Sequence, residues 1–365
     1  MKTFNRLKNQ IVAFENLLLA VKKASKGKKY KNSVTEFWFQ QERELLRLQR
    51  ELSEGNWKPG AYQTFMVYDP KERMISAAPF RDRVVHHALC NVIEPIFERT
   101  FIFSSYANRK GKGTHSAIEE YQKYAREYPF VLKCDVRKFF PSLDHEILKQ
   151  ELARKIYCRF TQRLCHAIID GSNPQTPVYD YFPGDDLFSP HARRRGLPIG
   201  NLTSQFWANV YLNRFDHFVK EQLKVPGYIR YVDDFVLFGE SALQLRGWKR
   251  EVERYLADLR LSLHPNKTHI HRTACGVPFL GFRTYPYRKV CLKAKVHRTR
   301  RHLRVKIRQL KRQEITPERM ESTLNSWLGH VRFGQSQRLE YNTFWELKNQ
   351  NVNVFKHPKG SWRIL

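Results

Sequence analysis

Two adjacent carboxylates, Asp233 and Asp234, stand in the run Ile229-Arg230-Tyr231-Val232-Asp233-Asp234-Phe235-Val236-Leu237-Phe238, which is otherwise mostly apolar, β-branched or aromatic. Such a run suits a half-buried strand, where two like charges are costly unless something positive neutralises them. Its halves, YIRYV and FVLFG, read as the arms of an antiparallel hairpin with the aspartates at the tip. A second apolar strand, Tyr128 to Cys134, runs straight into Asp135. Three carboxylates meeting on one sheet face make a hard-oxygen site suited to Mg²⁺, which takes few protein carboxylates and completes its shell with substrate phosphates. Two such ions about 3.5–4 Å apart can clamp an in-line phosphoryl displacement, so the expected counter-charge is metal. By itself an Asp-Asp pair is more often a solvated turn.

The remaining elements must position these acids. A chain of 365 residues, 41% hydrophobic and 13% aromatic, is long enough for two or three packed units. No window approaches the ~18 consecutive apolar residues of a membrane span. Glu15 and Asn16 interrupt the short apolar patch near the N-terminus, against a signal peptide. Lys and Arg number 65 against 35 acidic residues, a formal charge of +30, so a polyanion is the expected partner. A merely basic soluble protein is the bland alternative, and a membrane-surface role fits less well. The six cysteines form no CxxC pair and have no His at zinc spacing. They read as reduced core or surface thiols of a cytoplasmic protein.

Residues 1–60 read as a basic helical lead-in, with Phe14, Leu17, Leu18 and Val21 at helical spacing and a second amphipathic segment from Thr35 to Leu52 ending near Gly55. Residues 61–80 alternate like two strands around an Asp69-Pro70-Lys71-Glu72 turn, and a helix follows over Arg83 to Ile93. Asp144 is placed to cap a helix reaching Ile156. The stretch 171–195 is a polar loop ending in HARRR, and 202–224 reads as one long helix. From Arg283 to Arg312 there are thirteen Lys or Arg and no acid, within a helical pattern that includes Val296, Leu303, Ile307 and Leu310. A run so lopsided favours a nucleic-acid grip, through Arg298, Arg300, Arg301 and Arg304, over a solvated surface helix. GKGTH at 111–115 lacks the frame of a phosphate loop and reads as a turn, while His86-His87 suits packing better than metal.

Taken together, YVDD at 231–234, CDVRKFF at 134–140, GLPIGNLTSQFWAN at 196–209, HPNKT at 264–268 and FLGFR at 279–283 resemble, in order, the motifs of reverse transcriptases. The resemblance covers roughly residues 60–285. It implies an α+β right-hand polymerase, with fingers, an antiparallel-sheet palm and a helical thumb. The expected division is 1–130 for an N-terminal extension and fingers, 131–285 for the palm with finger elements inserted near 150–200, and 286–365 for the thumb. Asp135, Asp233 and Asp234 become the metal ligands, assisted by the Val136 carbonyl and holding two Mg²⁺ ions. Lys267 matches the lysine near the leaving pyrophosphate, where it would donate a proton or neutralise charge; a surface turn lysine is the alternative. Phe140 matches the bulky residue that blocks a ribose 2′-hydroxyl and is equally a core aromatic. Lys71, Arg73 or Arg81 would grip the incoming dNTP, with Ile199, Gly200 and Gln205 beside it.

Many reverse transcriptases, such as those of group II introns and retrons, carry Gln before this Gly and Ser-Pro after it. Here the sequence is Ile199-Gly200-Asn201-Leu202-Thr203-Ser204-Gln205, which is similar to the enzymes of diversity-generating retroelements. That resemblance implies copying of a template-repeat RNA into cDNA mutated at adenines, and a small basic accessory protein that forms a pentamer. Template RNA and the RNA/cDNA duplex are the other implied partners, with no membrane. A group II intron or retron enzyme, or a non-catalytic RNA-binding protein on the same fold, are the competing readings.

Overall fold

The computed structural model describes residues 4–68, 71–350, 352, 354–356 and 362–364. Four helices open the chain: α1 (Lys8–Val12), α2 (Phe14–Ala24), α3 (Asn32–Phe39) and α4 (Gln41–Glu54). The hairpin β1 (Gln63–Val67) and β2 (Arg73–Ala77) leads into α5 (Phe80–Glu98) and α6 (Thr114–Glu127). Next come β3 (Phe130–Asp135), α7 (Phe139–Ser142), α8 (His145–Ala153), α9 (Arg159–Asp170), α10 (Ser189–Ala192), α11 (Leu202–Tyr211) and α12 (Asn213–His217). The hairpin β4 (Gly227–Tyr231) and β5 (Asp234–Gly239) is followed by α13 (Ala242–Asp258) and β6 (His269–Arg272). Three short strands, β7 (Val277–Phe279), β8 (Phe282–Thr284) and β9 (Lys289–Cys291), precede α14 (Lys293–Lys311), α15 (Pro317–Phe333) and α16 (Gln337–Lys348). A last hairpin pairs β10 (Val354–Lys356) with β11 (Trp362–Ile364).

The chain divides into two compact units, each discontinuous in sequence. The first comprises Met1–Gly111, Lys133–Val236 and Arg246–His269; the second comprises Lys112–Leu132, Leu237–Leu245 and Ile270–Leu365. Strand order in the four-stranded sheet is β4-β5-β3-β6. The elements combine α-helices with small sheets, the α+β content expected from the sequence.

In the first unit α2 buries Leu17, Ala20, Val21 and Ala24 against α5, and α5 in turn packs on α11. Each large apolar side chain removed from water contributes about 1.5–3 kcal/mol. Helix α4 buries Leu45, Leu48 and Leu52 and ends at Gly55, whose φ of 77° lets its N–H reach back to Glu51 and Leu52. The helix expected from Thr35 to Leu52 is therefore two helices. They part at Gln40, straight after Phe37-Trp38-Phe39, aromatics that lose χ1 freedom in a helix. The single helix expected over 202–224 is likewise interrupted at Leu212 and finishes in a π turn, Phe218–Gln222. Asp144 caps α8 as the sequence implies, accepting from Glu146 N and Ile147 N.

In the second unit α14, α15 and α16 close on Leu303, Ile307, Met320, Leu324, Trp327, Leu328, Val331 and Leu347. Thr316 caps α15 by accepting from Arg319 N, with Pro317 at the first helical position. All six cysteines are free, and only Cys275 is exposed. Among the described residues no helix is long and apolar enough to cross a membrane. The Asp69-Pro70 corner of the expected turn lies outside the described residues.

Candidate active site

Strand β3 ends on Asp135 because Val131, Leu132 and Cys134 are buried while the following Arg137 and Lys138 are exposed. Main-chain bonds then fix what lies beside it. The Val136 N–H donates to the carbonyl of Asp233 at 3.2 Å, which brings the end of β3 to the tip of the β4–β5 hairpin. On its other side, His264 N donates to the Asp135 carbonyl at 2.7 Å, Arg137 N donates to the Ser262 carbonyl at 2.8 Å, and Val136 bridges Leu263. The turn Pro265–Lys267 then delivers Lys267, whose Nζ donates to Asp135 Oδ1 at 2.7 Å. Asp135, Asp233, Asp234 and Lys267, far apart in the sequence, thus occupy one corner of the first unit.

Burial pushes Asp233 up to about 6; the negative charge of Asp234, and then of Asp135, adds to the shift, and Lys267 opposes it. Asp234 is also raised, first by burial and also by Asp135, while Lys133, Lys267 and Lys71 hold it down. Among the described residues no three His, Cys, Asp or Glu side chains are drawn together as a finished metal-binding group, and Asp135 is engaged by Lys267. The donor chemistry nonetheless fits a divalent cation: hard oxygens only, mutually repelling, and relieved in part by lysines.

The other expected site residues differ in what they touch. Phe140 is half-buried in α7, its ring edge-on to Phe139 at 5.4 Å, and its carbonyl accepts from Leu197 N at 2.9 Å. Two residues on, the Ile199 carbonyl accepts from Ser76 N at 3.0 Å. Gly200 has φ +115°, and a Cβ there would meet Ile75 Cγ2 at 3.1 Å. The loop before α11 is therefore joined to β2 of the β1–β2 hairpin. Gln205 is exposed on α11, and Lys71 and Arg73 are exposed on the hairpin. Arg81 pairs its guanidinium with Glu44 at 3.3 Å and Glu51 at 2.9 Å, both on α4.

Three contributors escaped sequence reasoning. Asn201 precedes α11 without capping it; instead Nδ2 donates to the Ser76 carbonyl at 3.1 Å and Oδ1 accepts from Ala78 N at 3.4 Å. Lys133, mid-strand in β3, was read only as part of an apolar run. Asp180 belongs to the 171–195 loop, where its carboxylate accepts from Arg137 Nη1 at 3.2 Å and Ser262 Oγ at 2.9 Å. That loop is thereby fastened to the segments flanking Val136. Of the HARRR arginines, Arg193 is buried and paired with Asp185 and Asp144, Arg195 lies over the Tyr179 ring, and Arg194 is the exposed one.

In the second unit, Arg298, Arg300, Arg301 and Arg304 lie on α14. Arg300 and Arg304 pair with Glu346 of α16 at 3.4 and 2.8 Å, whereas the Arg301 side chain is exposed.

An acidic hairpin tip thus lies beside a strand-ending aspartate in a chain of α+β content, the arrangement expected of a nucleotidyl-transfer centre. The chain belongs to the reverse transcriptase family of RNA-dependent DNA polymerases, whose model matches residues 61–284. Enzymes of this family use divalent metal ions. Protein YkfC of Escherichia coli K12 is 26% identical over 283 residues, covering 66% of this chain and 71% of that protein. The group II intron-encoded protein LtrA of Lactococcus lactis is 23% identical over 187 residues, covering 50% of this chain but 29% of LtrA. Among solved structures, apo telomerase from Candida tropicalis aligns with 64% of this chain and 47% of its own, at TM-score 0.45 and 11% identity.

Proposed function

We propose that this reverse transcriptase copies a template-repeat RNA into cDNA mutated at adenines, in the manner of diversity-generating retroelements. The observation that carries this reading is Ile199-Gly200, an aliphatic side chain and a glycine at the end of a loop bonded to the β1–β2 hairpin. A Gln there would contribute polar groups that penalise a mispaired partner when left unbonded; an aliphatic side chain removes the penalty and loosens selection. Ile199→Gln is expected to lower misincorporation at template adenines while leaving extension on other bases intact. An unchanged error spectrum would overturn the assignment.

Within this reading, 1–130 supplies the extension and fingers, 131–285 the palm and 286–365 the thumb. Asp135, Asp233, Asp234 and the Val136 carbonyl would hold two Mg²⁺ ions, which would supply activation of the primer hydroxyl and charge stabilisation of the leaving pyrophosphate. Lys267 hands a proton from Nζ to the pyrophosphate or neutralises it. Lys71 and Arg73 neutralise the triphosphate, Phe140 excludes a 2′-hydroxyl, and Gln205 and Gly200 line the base-pair pocket. The basic face of α14 grips the RNA/cDNA duplex, and a small basic pentameric protein is the accessory partner.

The similarity to LtrA favours a second reading, a group II intron-type enzyme. Errors spread evenly over all four template bases, with preference for intron RNA over repeat RNA, would select it.

A further inference from the structure

On β4, within the acidic hairpin itself, Arg230 is wholly buried and paired with the wholly buried Asp216. A guanidinium has five N–H donors, and here each has a partner. Nε donates to Asp216 Oδ1 at 2.7 Å, and Nη2 donates to Asp216 Oδ2 at 2.6 Å and to Ser105 Oγ at 3.2 Å. Nη1 donates to Asn209 Oδ1 at 3.1 Å and to the carbonyl of Val232 at 3.2 Å. Tyr228 adds a hydroxyl bond to Asp216 Oδ1 at 2.8 Å. The backbone is equally fixed, since Arg230 N donates to the Ser104 carbonyl and Tyr106 N to the Arg230 carbonyl, each at 2.9 Å.

The partner that matters is Val232. Its φ is +60°, a left-handed conformation that a β-branched residue adopts only when its surroundings impose it, at about 1–3 kcal/mol. Left to itself this turn would relax and swing Asp233 and Asp234 with it. Two bonds oppose that: Arg230 on the Val232 carbonyl, and Val136 N on the Asp233 carbonyl.

A buried ion pair is weak grounds for stability, because an apolar pair of similar volume is often as good. What apolar residues cannot supply is a donor aimed at the Val232 carbonyl. Lysine cannot either, since its compact ammonium does not span both Asp216 oxygens and a third acceptor.

We propose that Arg230 is a positioning residue of the polymerase centre: clamped by Asp216, its guanidinium holds the left-handed turn at Val232 and so aims Asp233 and Asp234. This rests on the reading of those two aspartates as the catalytic acids.

The test uses the full chain with a primed RNA template. In Arg230→Met/Asp216→Leu, melting temperature is expected to stay near wild type while kcat falls about 10–100-fold, the scale for groups that orient metal ligands. The dNTP KM should change little, and Mn²⁺ affinity, read by electron paramagnetic resonance, should weaken by a similar factor. Should the apolar pair fail to fold, Arg230→Lys serves, keeping a charge opposite Asp216 but losing the fork. Introducing Val232→Gly, which relieves the φ strain, should shrink the kcat loss caused by Arg230→Lys. Folded variants with unaltered kcat and Mn²⁺ affinity would overturn the inference alone. Retained extension by Asp233→Asn would instead overturn the polymerase reading beneath it.

Discussion

Lys267 donates to Asp135 across 2.7 Å, so the carboxylate that ends β3 already shares an ion pair with the turn that follows Leu263. The lysine side chain is 38% exposed and the aspartate 15%, so the lysine is reachable from solvent. Positive charge on Lys267 also opposes the upward shift of Asp233.

Replacing the lysine tests the two roles proposed for it. Lys267→Met is expected to slow extension about 10²–10⁴-fold if Nζ supplies a proton. Because the opposing charge is gone, the acidic limb of the pH–rate profile should also move to higher pH. A slowed enzyme with an unmoved limb would assign Lys267 to proton delivery alone; full activity would remove it from the site.

Asp233 should show opposite effects on activity and on the fold. Asp233→Asn is expected to reduce primer extension by roughly 10³-fold or more while RNA binding persists, the loss typical of a residue acting in a unit. Without metal, the same change should stabilise the chain. For an acid raised from 3.8 to about 6, the folded state binds more protons than the unfolded between those values, so this group's stability is complete below pH 4 and lost as pH rises through 6. In chelator at pH 8 the variant should gain roughly 1–3 kcal/mol, fading toward pH 4, as read by urea melts. Equal stability at both pH values would count against the burial of that charge.

Gly200 is a backbone position with a clear test. Gly200→Ala would place a Cβ at φ +115° and 3.1 Å from Ile75 Cγ2, at a cost of about 1–3 kcal/mol. The strain falls on the junction with β2, so KM for dNTP should rise more than kcat falls. A variant with wild-type KM and stability would show that the junction tolerates the change.

For RNA, exposure distinguishes one arginine from another. Arg301→Ala is expected to reduce the salt slope of RNA binding by about 0.7–0.9, one phosphate contact. Arg304→Ala should change it less, because that guanidinium is held by Glu346 at 2.8 Å. Glu346→Gln should steepen the slope by freeing Arg300 and Arg304. Filter binding across a salt series checks all three, and identical slopes would take α14 out of the interface.

Local chemistry was legible in the sequence, and pairings over long separations were not. The apolar runs on either side of Asp233-Asp234 announced a hairpin, and Asp144 announced the start of α8, because each signal lies within a few residues. Lys267 could be placed by resemblance, yet its bond to Asp135 spans 132 positions that no periodicity encodes. The capture of Arg81 by Glu44 and Glu51 is hidden for the same reason. Strands β7, β8 and β9 have three residues each, too few for alternation to register. The break at Leu212 and the π turn beyond it belong to a segment that carries Asp216 into the core, a tertiary demand that overrides helix periodicity.

The interleaved segments of the second unit set a timetable for synthesis. Helix α6 leaves the ribosome early, yet Ile118 packs with Phe282 and Cys291, and the Tyr121 ring packs against Phe238 and Phe279. At about 5–20 residues per second, those aromatic neighbours follow roughly 10–30 s later. Until they arrive, the face of α6 that carries Ile118 and Tyr121 lacks its final cover, so slower synthesis between 128 and 291 is expected to lengthen its exposure.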